Sequence, residues 1–221
     1  MRTGPWLVLD ASLGAGTIAL VDVEGPPRLL AAVTVEERDA LFPEVMRLLD
    51  AAACPIDALG ACVVGDGPGS FTALRIVGAL GKGLAEATGM PLYAVPSLAL
   101  LVGGAAGTRR AGVWLATMDA LRGEQYVARV VTDAEGVVLT VEAMPRLARE
   151  ALSDAAAPDG AEWIGPDAPL VAHPDARGAV RCVAWLLKVG PVDLAAWEPT
   201  YGRLAEAQVK WEAEHGRPLA P

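Results

Sequence analysis

The stretch Val64-Gly-Asp-Gly-Pro-Gly-Ser-Phe-Thr-Ala-Leu-Arg75 decides how the rest of the chain is read. Ala61 to Val64 form a short apolar run with strand character, and a helical pattern begins near Thr72, so the stretch joins a strand to a helix. Gly65, Gly67 and Gly69 open φ values that other residues avoid, and Ser70 or Thr72 is suited to cap the helix. The free amides and positive end of such a helix can receive an anion, either a phosphate or a partner's carboxylate. A plain tight turn explains the same residues, and both readings stay open at this level. Two familiar loops are excluded. A P-loop needs Gly-x4-Gly-Lys-Ser/Thr, whereas Gly81-Lys82 is followed by Gly83 and lies inside the helical pattern. A nucleophile elbow needs Gly-x-Ser-x-Gly, but Phe71 and Thr72 follow Ser70.

Toward the amino terminus, Trp6 to Asp10 and Thr17 to Val23 read as apolar strands joined through Ala11-Ser-Leu-Gly-Ala-Gly16, and Arg28 to Val35 as a third strand. Asp10 and Ser12 read as organisers of that turn, because no second acidic motif of comparable clarity follows.

The segment Glu36 to Ala53 predicts a helix with two adjacent apolar stripes, one of Leu41, Val45, Leu48 and Ala52, the other of Phe42, Met46, Leu49 and Ala53. Pro43 fits the first turn of such a helix or kinks it. In the helix from Thr72 to Thr88, Arg75, Lys82 and Glu86 share one stripe and most of the remainder is apolar or small. Both helices carry more apolar surface than one sheet covers, which points to a protein interface. Gly78, Gly81 and Gly83 sharpen the point, since each costs about 1 kcal/mol relative to alanine inside a helix. A close approach by a neighbouring element offsets that cost, whether the neighbour is internal or a partner.

Leu92 to Val95 predicts a strand, and Gly103-Gly-Ala-Ala-Gly107 with Arg109-Arg110 predicts a flexible break that divides the chain into residues 1–104 and 105–221. Beyond it, Val113 to Met118, Glu124 to Thr132 and Val137 to Ala143 read as a meander. Pro145 to Leu152 reads as a short helix, Ala155 to Gly160 as a loop, Arg177 to Val189 as a helix, and Leu204 to Glu214 as a polar helix packing back on the first part.

The 221 residues are 53% hydrophobic and 20% charged, which fits a core-rich globular protein. A formal net charge of −9 argues against a chain that grips a phosphate backbone by itself. No apolar run approaches the ~20 residues of a membrane span and the start lacks a signal pattern, so a cytoplasmic location with no membrane contact is expected. Cys54, Cys62 and Cys182 have neither disulfide nor zinc spacing and read as buried apolar residues. With only His173 and His215, little is available for metal binding or for a metalloprotease helix.

Gly67-Pro-Gly-Ser-Phe-Thr72, Leu74-Arg75, Lys82-Gly-Leu84, Pro91, Val95 and Ser97-Leu98 together resemble the signature of the bacterial TsaB (YeaZ) family. The signature loop itself, Gly67, Pro68, Gly69, Ser70, Phe71 and Thr72, is with its helix the most specific part of that resemblance. Leu9-Asp10, Met118-Asp-Ala-Leu-Arg-Gly-Glu124 and Pro199-Thr-Tyr-Gly-Arg203 extend it over most of the chain. It implies an α/β protein of the actin-like ATPase (ASKHA) fold, with two lobes of mixed sheet flanked by helices. It further implies a non-catalytic subunit that binds and activates the TsaD transferase, which makes threonylcarbamoyladenosine in tRNA, while the ATPase TsaE resets the complex. Contact with TsaD, or with a second copy when TsaD is absent, is then expected at Leu41, Phe42, Val45, Met46, Leu49, Arg75, Gly78, Gly81 and Lys82. On this reading tRNA is met only through the complex, and neither cofactor, metal nor catalytic residue is expected.

Two other classes stay on the table: a self-associating structural protein, and a stand-alone enzyme. The enzyme is either an actin-fold kinase with Asp119 and Glu124 as candidate acids, or a glycoprotease-like hydrolase. Departures from the family pattern fall at Glu37-Arg-Asp39 in place of His-Ser-Glu, at Asp66 in place of arginine, at Ala73 in place of glycine and at Gly202 in place of leucine.

Overall fold

The structure is a computed structural model that describes residues 3–14, 16–37, 40–152, 160–202 and 215. Strands β1 (Trp6–Asp10), β2 (Gly16–Asp22), β3 (Arg28–Val35), β4 (Ala61–Gly65) and β5 (Leu92–Val95) form one sheet in the order β3-β2-β1-β4-β5. Strands β6 (Gly112–Leu121), β7 (Glu124–Thr132), β8 (Val138–Ala148), β9 (Glu162–Gly165) and β10 (Leu170–Val171) form a second sheet, in the order β8-β7-β6-β9-β10. In each sheet the first three strands pair antiparallel and the fourth and fifth pair parallel. The two halves therefore share one topology although the sequence shows no strong repeat. This duplicated arrangement is that of the actin-like ATPase fold.

Strand alternation sorts the first sheet into two apolar faces. Leu7, Leu9, Ile18, Leu20, Cys62 and Val64 point to helices α1 (Leu41–Ala51) and α2 (Phe71–Thr88). Trp6, Val8, Ala19, Val21 and Val63 point the other way, into a core shared with helix α3 (Ser97–Gly104), helix α4 (Val183–Val189) and the inner residues Trp114, Ala116, Met118, Ala128 and Val130 of the second sheet. β1 and β4 are buried at every position, which accounts for their uninterrupted apolar runs. A segment without helix or strand, residues 192–202, adds Val192, Leu194 and Trp197 to the α1/α2 core and is called the strap below.

Several expectations change. α1 starts at Leu41 rather than Glu36, with Pro43 in its first turn, where its missing amide costs no helical bond. Neither Ser70 nor Thr72 caps α2 through its side chain; the helix closes instead at Gly89 in the left-handed conformation, φ 69°. Gly103-Gly104 is not a flexible break but the end of α3, a helix buried along seven of its eight residues, apolar all round and so without a period to read. A Cβ on Gly103 would sit 2.4 Å from the Gly178 carbonyl oxygen, and one on Gly178 would sit 2.2 Å from that of Leu100, so these glycines allow two backbones to cross. Pro145 lies within β8 rather than opening a helix; it falls on an edge strand where the register skips between Gln125 and Val127, and the ladder loses no donor there. A 3-10 turn over Arg149–Leu152 follows β8. The helix expected over Arg177 to Val189 divides into a 3-10 turn, Ala176–Arg181, and α4. The helix expected over Leu204 to Glu214 and most of the loop Ala155 to Gly160 lie outside the described residues.

Candidate functional site

The signature loop is built around Asp10, which is 3% exposed at the end of β1. Ser12 donates to Asp10 Oδ1 through its amide at 3.1 Å and its hydroxyl at 2.8 Å, and Ser97 Oγ donates to Oδ2 at 2.6 Å. The Ser97 hydroxyl accepts from the Gly67 amide at 3.2 Å, while the Ser97 amide donates to the Gly67 carbonyl at 2.8 Å. The Ser70 amide donates to the Ser12 carbonyl at 2.7 Å. The first hairpin, the signature loop and the start of α3 are thereby tied to one carboxylate.

The loop's glycines serve that closure. A Cβ on Gly65 would lie 1.9 Å from Asp10 Oδ2, and a Cβ on Gly69 would lie 2.4 Å from the Ser12 carbonyl oxygen. Of the two readings left open for the loop, the tight turn describes Ser70: its amide is taken by the chain itself. Asp10 is enclosed between Ser12, Gly65 and Ser97 rather than facing an open receptacle for a metal or phosphate.

Burial pushes the Asp10 carboxyl above the ordinary carboxylate range, with the Ser97 and Ser12 hydrogen bonds opposing the shift. A raised folded-state value means that the native chain binds the proton more tightly than the unfolded chain, so the carboxylate's contribution falls as pH rises between the two values. Asp10→Asn keeps the shape and removes this titration. We therefore expect wild-type stability, measured by urea unfolding against Asp10→Asn, to decline as pH rises from the ordinary carboxylate value of about 4 toward the raised native value. A constant difference across that range would contradict the assignment.

The outer rim of the loop is Asp66. Its carboxylate accepts from Trp197 Nε1 at 3.1 Å and from Thr200 Oγ1 at 2.9 Å, and its carbonyl accepts from the Thr200 amide at 2.8 Å. Gly67 and Pro68, joined by a cis peptide bond, come next. A Cβ on Gly67 would lie 2.4 Å from the Thr200 carbonyl oxygen, and the half-buried Pro68 puts its Cβ 3.0 Å from the Cβ position of Gly202. The Phe71 and Tyr201 ring centres are 4.4 Å apart, while Thr72 is exposed. Gly67, Pro68 and Phe71 thus pack against residues 200–202 of the same chain, which corrects the picture of an open anion cradle: this side of the loop is a seat for the strap.

The strap then follows α2. Pro199 Cγ and the Trp197 ring stand 3.1 and 3.6 Å from where a Gly78 Cβ would be, and Lys82 Nζ lies 5.6 Å from the Trp197 ring centre. The Arg75 guanidinium stacks over Phe71 at 5.0 Å.

The candidate partner residues divide on this geometry. Leu41, Val45 and Leu49 are buried in the core beneath α1, and the alternation that puts them there turns Phe42 outward, where it is 50% exposed with Met46 half-buried. Gly78 is covered by the strap, and a Cβ on Gly81 would lie 2.5 Å from Val64 Cγ1 and 3.2 Å from Leu92 Cδ1. The cost of these two glycines is thus offset inside the chain. Gly83 is different: it is exposed, and among the described residues no atom outside its own turn of helix lies within 4 Å of its Cβ position. The sequence reading missed the roles of Gly83 and of Asp66. It also missed an apolar notch between α1 and α2 that is lined by Val35, Leu41, Ala73 and Ile76.

The residues considered for enzyme chemistry have structural partners. Asp119 Oδ1 accepts the Leu121 amide at 2.9 Å in the β6–β7 turn, and Glu124 pairs with Arg146 at 2.7 Å. No group of three metal-ligating side chains occurs among the described residues. Burial pushes the Cys62 and Cys182 thiols up to about 12, while Cys54 is only part-buried, contrary to expectation. Among the described residues no helix is long and apolar enough to cross a membrane.

A family model described as TsaD, tRNA N6-adenosine threonylcarbamoyltransferase, matches residues 36–161. A protein of Mycobacterium tuberculosis H37Rv described only as uncharacterized is 33% identical over 190 residues, covering 84% of this chain and 88% of its own. YeaZ from Pseudomonas aeruginosa superposes with a TM-score of 0.69 at 26% identity, over 90% of this chain and all of that one. The chain belongs to the TsaB/YeaZ family. The tRNA threonylcarbamoyladenosine biosynthesis protein TsaB of Escherichia coli K12 is 29% identical over 140 residues, covering 63% of this chain and 61% of its own.

Set against the TsaB/YeaZ signature, three departures acquire a physical description. Asp66 anchors the strap, and Ala73 is buried at the apolar notch. Gly202 adopts φ 71° with its Cβ position 2.5 Å from the Tyr126 ring and 3.0 Å from Pro68, so a leucine side chain has no room there. Of the fourth departure, Glu37 is exposed, while Arg38 and Asp39 lie outside the described residues.

Proposed function

We propose that this chain is a non-catalytic subunit that binds TsaD and activates it in threonylcarbamoylation of the adenosine beside the anticodon of tRNA. TsaE is the further protein of the assembly, and tRNA is met only through the complex. The observation that carries this reading is the outer surface of α1 and α2, where Phe42 projects and Gly83 leaves a helix backbone open to close approach. A glycine costs about 1 kcal/mol at such a position, and at Gly83 nothing within the described residues offsets it. A partner helix crossing there does. Family membership names the partner class, and the net charge of −9 favours contact with another protein over direct contact with RNA.

The kinase and hydrolase alternatives have less support, because Asp10 is enclosed and Asp119 and Glu124 are engaged in turn and ion-pair geometry. The contact set is correspondingly Phe42, Met46, Arg75, Ala79, Lys82 and Gly83, with Leu41, Val45, Leu49, Gly78 and Gly81 acting from beneath. The same surface pairs two copies when TsaD is absent.

The test is sedimentation of the pure chain, followed by titration with TsaD from the same genome and assay of tRNA modification. Phe42→Glu keeps a surface position at the surface and is expected to weaken both associations by about tenfold or more, with the melting temperature unchanged. Val45→Glu is unsuitable because it buries a charge in the core. Undiminished pairing and modification by Phe42→Glu would remove the α1/α2 face from the interface.

A further inference from the structure

We propose that the strap is the second wall of the docking face and that Asp66 is the residue that positions it, by latching it to the signature loop. The inference rests on the reading of α1 and α2 as a protein-docking face. One side of the first sheet has five strands to cover. α1 lies on β3 and β2, while α2 lies chiefly on β4 and reaches β1 and the edge strand β5 only at its margins. The strap completes the cover at β5: the Val192 amide donates to the Leu92 carbonyl at 2.8 Å, and Val192, Leu194 and Trp197 join the common core. Helix α2 therefore runs between α1 on one flank and the strap on the other, and Thr72, Arg75, Ala79 and Gly83 are exposed between them.

The strap is held by few anchors. Asp193, Ala195, Ala196, Glu198 and Thr200 are exposed, so about every second residue lacks interior packing, and the segment has no ladder or helix of its own. Such segments belong to the easily opened part of a fold. Besides the Val192 amide on Leu92 and the Tyr126 hydroxyl, which donates to the Tyr201 carbonyl at 3.4 Å, its polar anchors converge on Asp66, which takes Trp197 Nε1, the Thr200 hydroxyl and the Thr200 amide. Hydrogen bonds to a carboxylate are stronger than neutral ones, and here they come from two strap residues to one loop residue. Because Asp66 stands five residues before the first residue of α2, one loop sets the helix and its wall together.

The occupant is a protein partner presenting an apolar helix that also carries carboxylates. Trp197, Pro199 and Tyr201 remain partly exposed beside α2, and large rings at such positions are the residues that dominate protein interfaces. Arg75 and Lys82 reach across the Phe71 and Trp197 rings, and neither forms an ion pair within the described residues. Two cations flanking a crest of Ala79 and Gly83 suit an acidic helix.

The experiment combines hydrogen exchange of the full chain with titration of TsaD, using Asp66→Ala, Thr200→Val and Asp66→Asn. In the first two variants we expect faster exchange over residues 192–201, native exchange in β1 and β4, and at least about tenfold weaker binding. Asp66→Asn retains an acceptor for a strap donor and is expected to recover most of the affinity. If Asp66→Ala does not fold, Thr200→Val, an exposed and shape-conserving change, decides alone. Full-strength binding by a variant whose strap exchanges freely would overturn the wall, and unaltered strap exchange in every variant would overturn the latch. Phe42→Glu separates the two readings: if it binds normally the docking face itself is misplaced, whereas if it binds weakly while the released strap has no effect, only the present inference fails.

Discussion

Gly81→Leu is expected to abolish the folded state, whereas Gly83→Leu, two residues along the same helix, is expected to leave it intact and to abolish pairing. At Gly81 even a Cβ would meet Val64 Cγ1 at 2.5 Å and Leu92 Cδ1 at 3.2 Å, both on strands of a sheet buried on two sides. A leucine adds three further carbons with no space to receive them. Overpacking by a few methylenes costs about 1–3 kcal/mol in a core, and a full side chain facing a rigid strand exceeds that range, comparable with the whole stability of an ordinary domain. The readout is soluble yield and cooperative unfolding.

At Gly83 the new Cβ meets no other element within 4 Å among the described residues, and the substitution replaces a poor helix former with a good one. Thermal stability should hold or rise by about 1 kcal/mol, while binding to TsaD falls by two orders of magnitude or more if a partner backbone crosses there. Normal binding by Gly83→Leu would move the crossing elsewhere on the surface. A stable, well-packed Gly81→Leu would contradict the helix-to-sheet distance on which the fold description depends.

The second large effect concerns Arg181, at the end of the 3-10 turn before α4. Its guanidinium donates to the carbonyls of Val102, Gly103 and Ala105, where α3 ends, and to that of Gly136 at 3.4 Å in the turn before β8. Helix ends leave carbonyls without intrahelical partners, and here one side chain gathers them while tying α3 to the second sheet. The Thr108 hydroxyl lies 2.6 Å from the Val102 carbonyl and 2.8 Å from the Ala105 carbonyl and has one proton to give between them, so removal of the arginine leaves part of the set satisfied. Arg181→Met keeps much of the apolar stem and removes every donor. Loss of charged hydrogen bonds to shielded carbonyls is expected to cost about 2–3 kcal/mol, and to lower the melting temperature by roughly 5–10 °C for a chain of this size. Arg181→Lys should recover part of the loss, since one ammonium cannot reproduce a planar fork. A change within about 0.5 kcal/mol for Arg181→Met would mean that water replaces the guanidinium without penalty.

Periodicity and turn chemistry act over a few residues, and what they determine was present in the chain itself. β1, β2, β3, β4, β5 and the limits of α2 are written as apolar runs and a terminal glycine, and the loop between Val64 and Phe71 carries the family's most specific residues. α3 escaped because an element buried on all sides has no polar face, hence no period to detect. The last five residues of β8, Met144 to Ala148, escaped because a proline on an edge strand looks like the start of a helix when its neighbours are unknown. The duplicated strand order is likewise invisible locally, since hydrogen-bond partners and not residue identities define it.

The proposed docking face shows the same division. A glycine within a helix states that something approaches closely, but not what: only the packing assigned Gly78 to the strap and Gly81 to the sheet, and left Gly83 open. Asp66 likewise reads as an odd residue in a glycine loop, because the indole that donates to it lies 131 residues later in the chain. Pro68 reads as part of a signature, and only the fold shows the strap glycine that it packs beside. Sequence determined the first five strands, the three-strand meander that follows them, the signature loop and the two amphipathic helices, through interactions that are local, whereas β9 and β10 were not legible in it. Tertiary structure alone decided which apolar residues are covered and which glycine remains open, because burial depends on neighbours brought together by the completed fold.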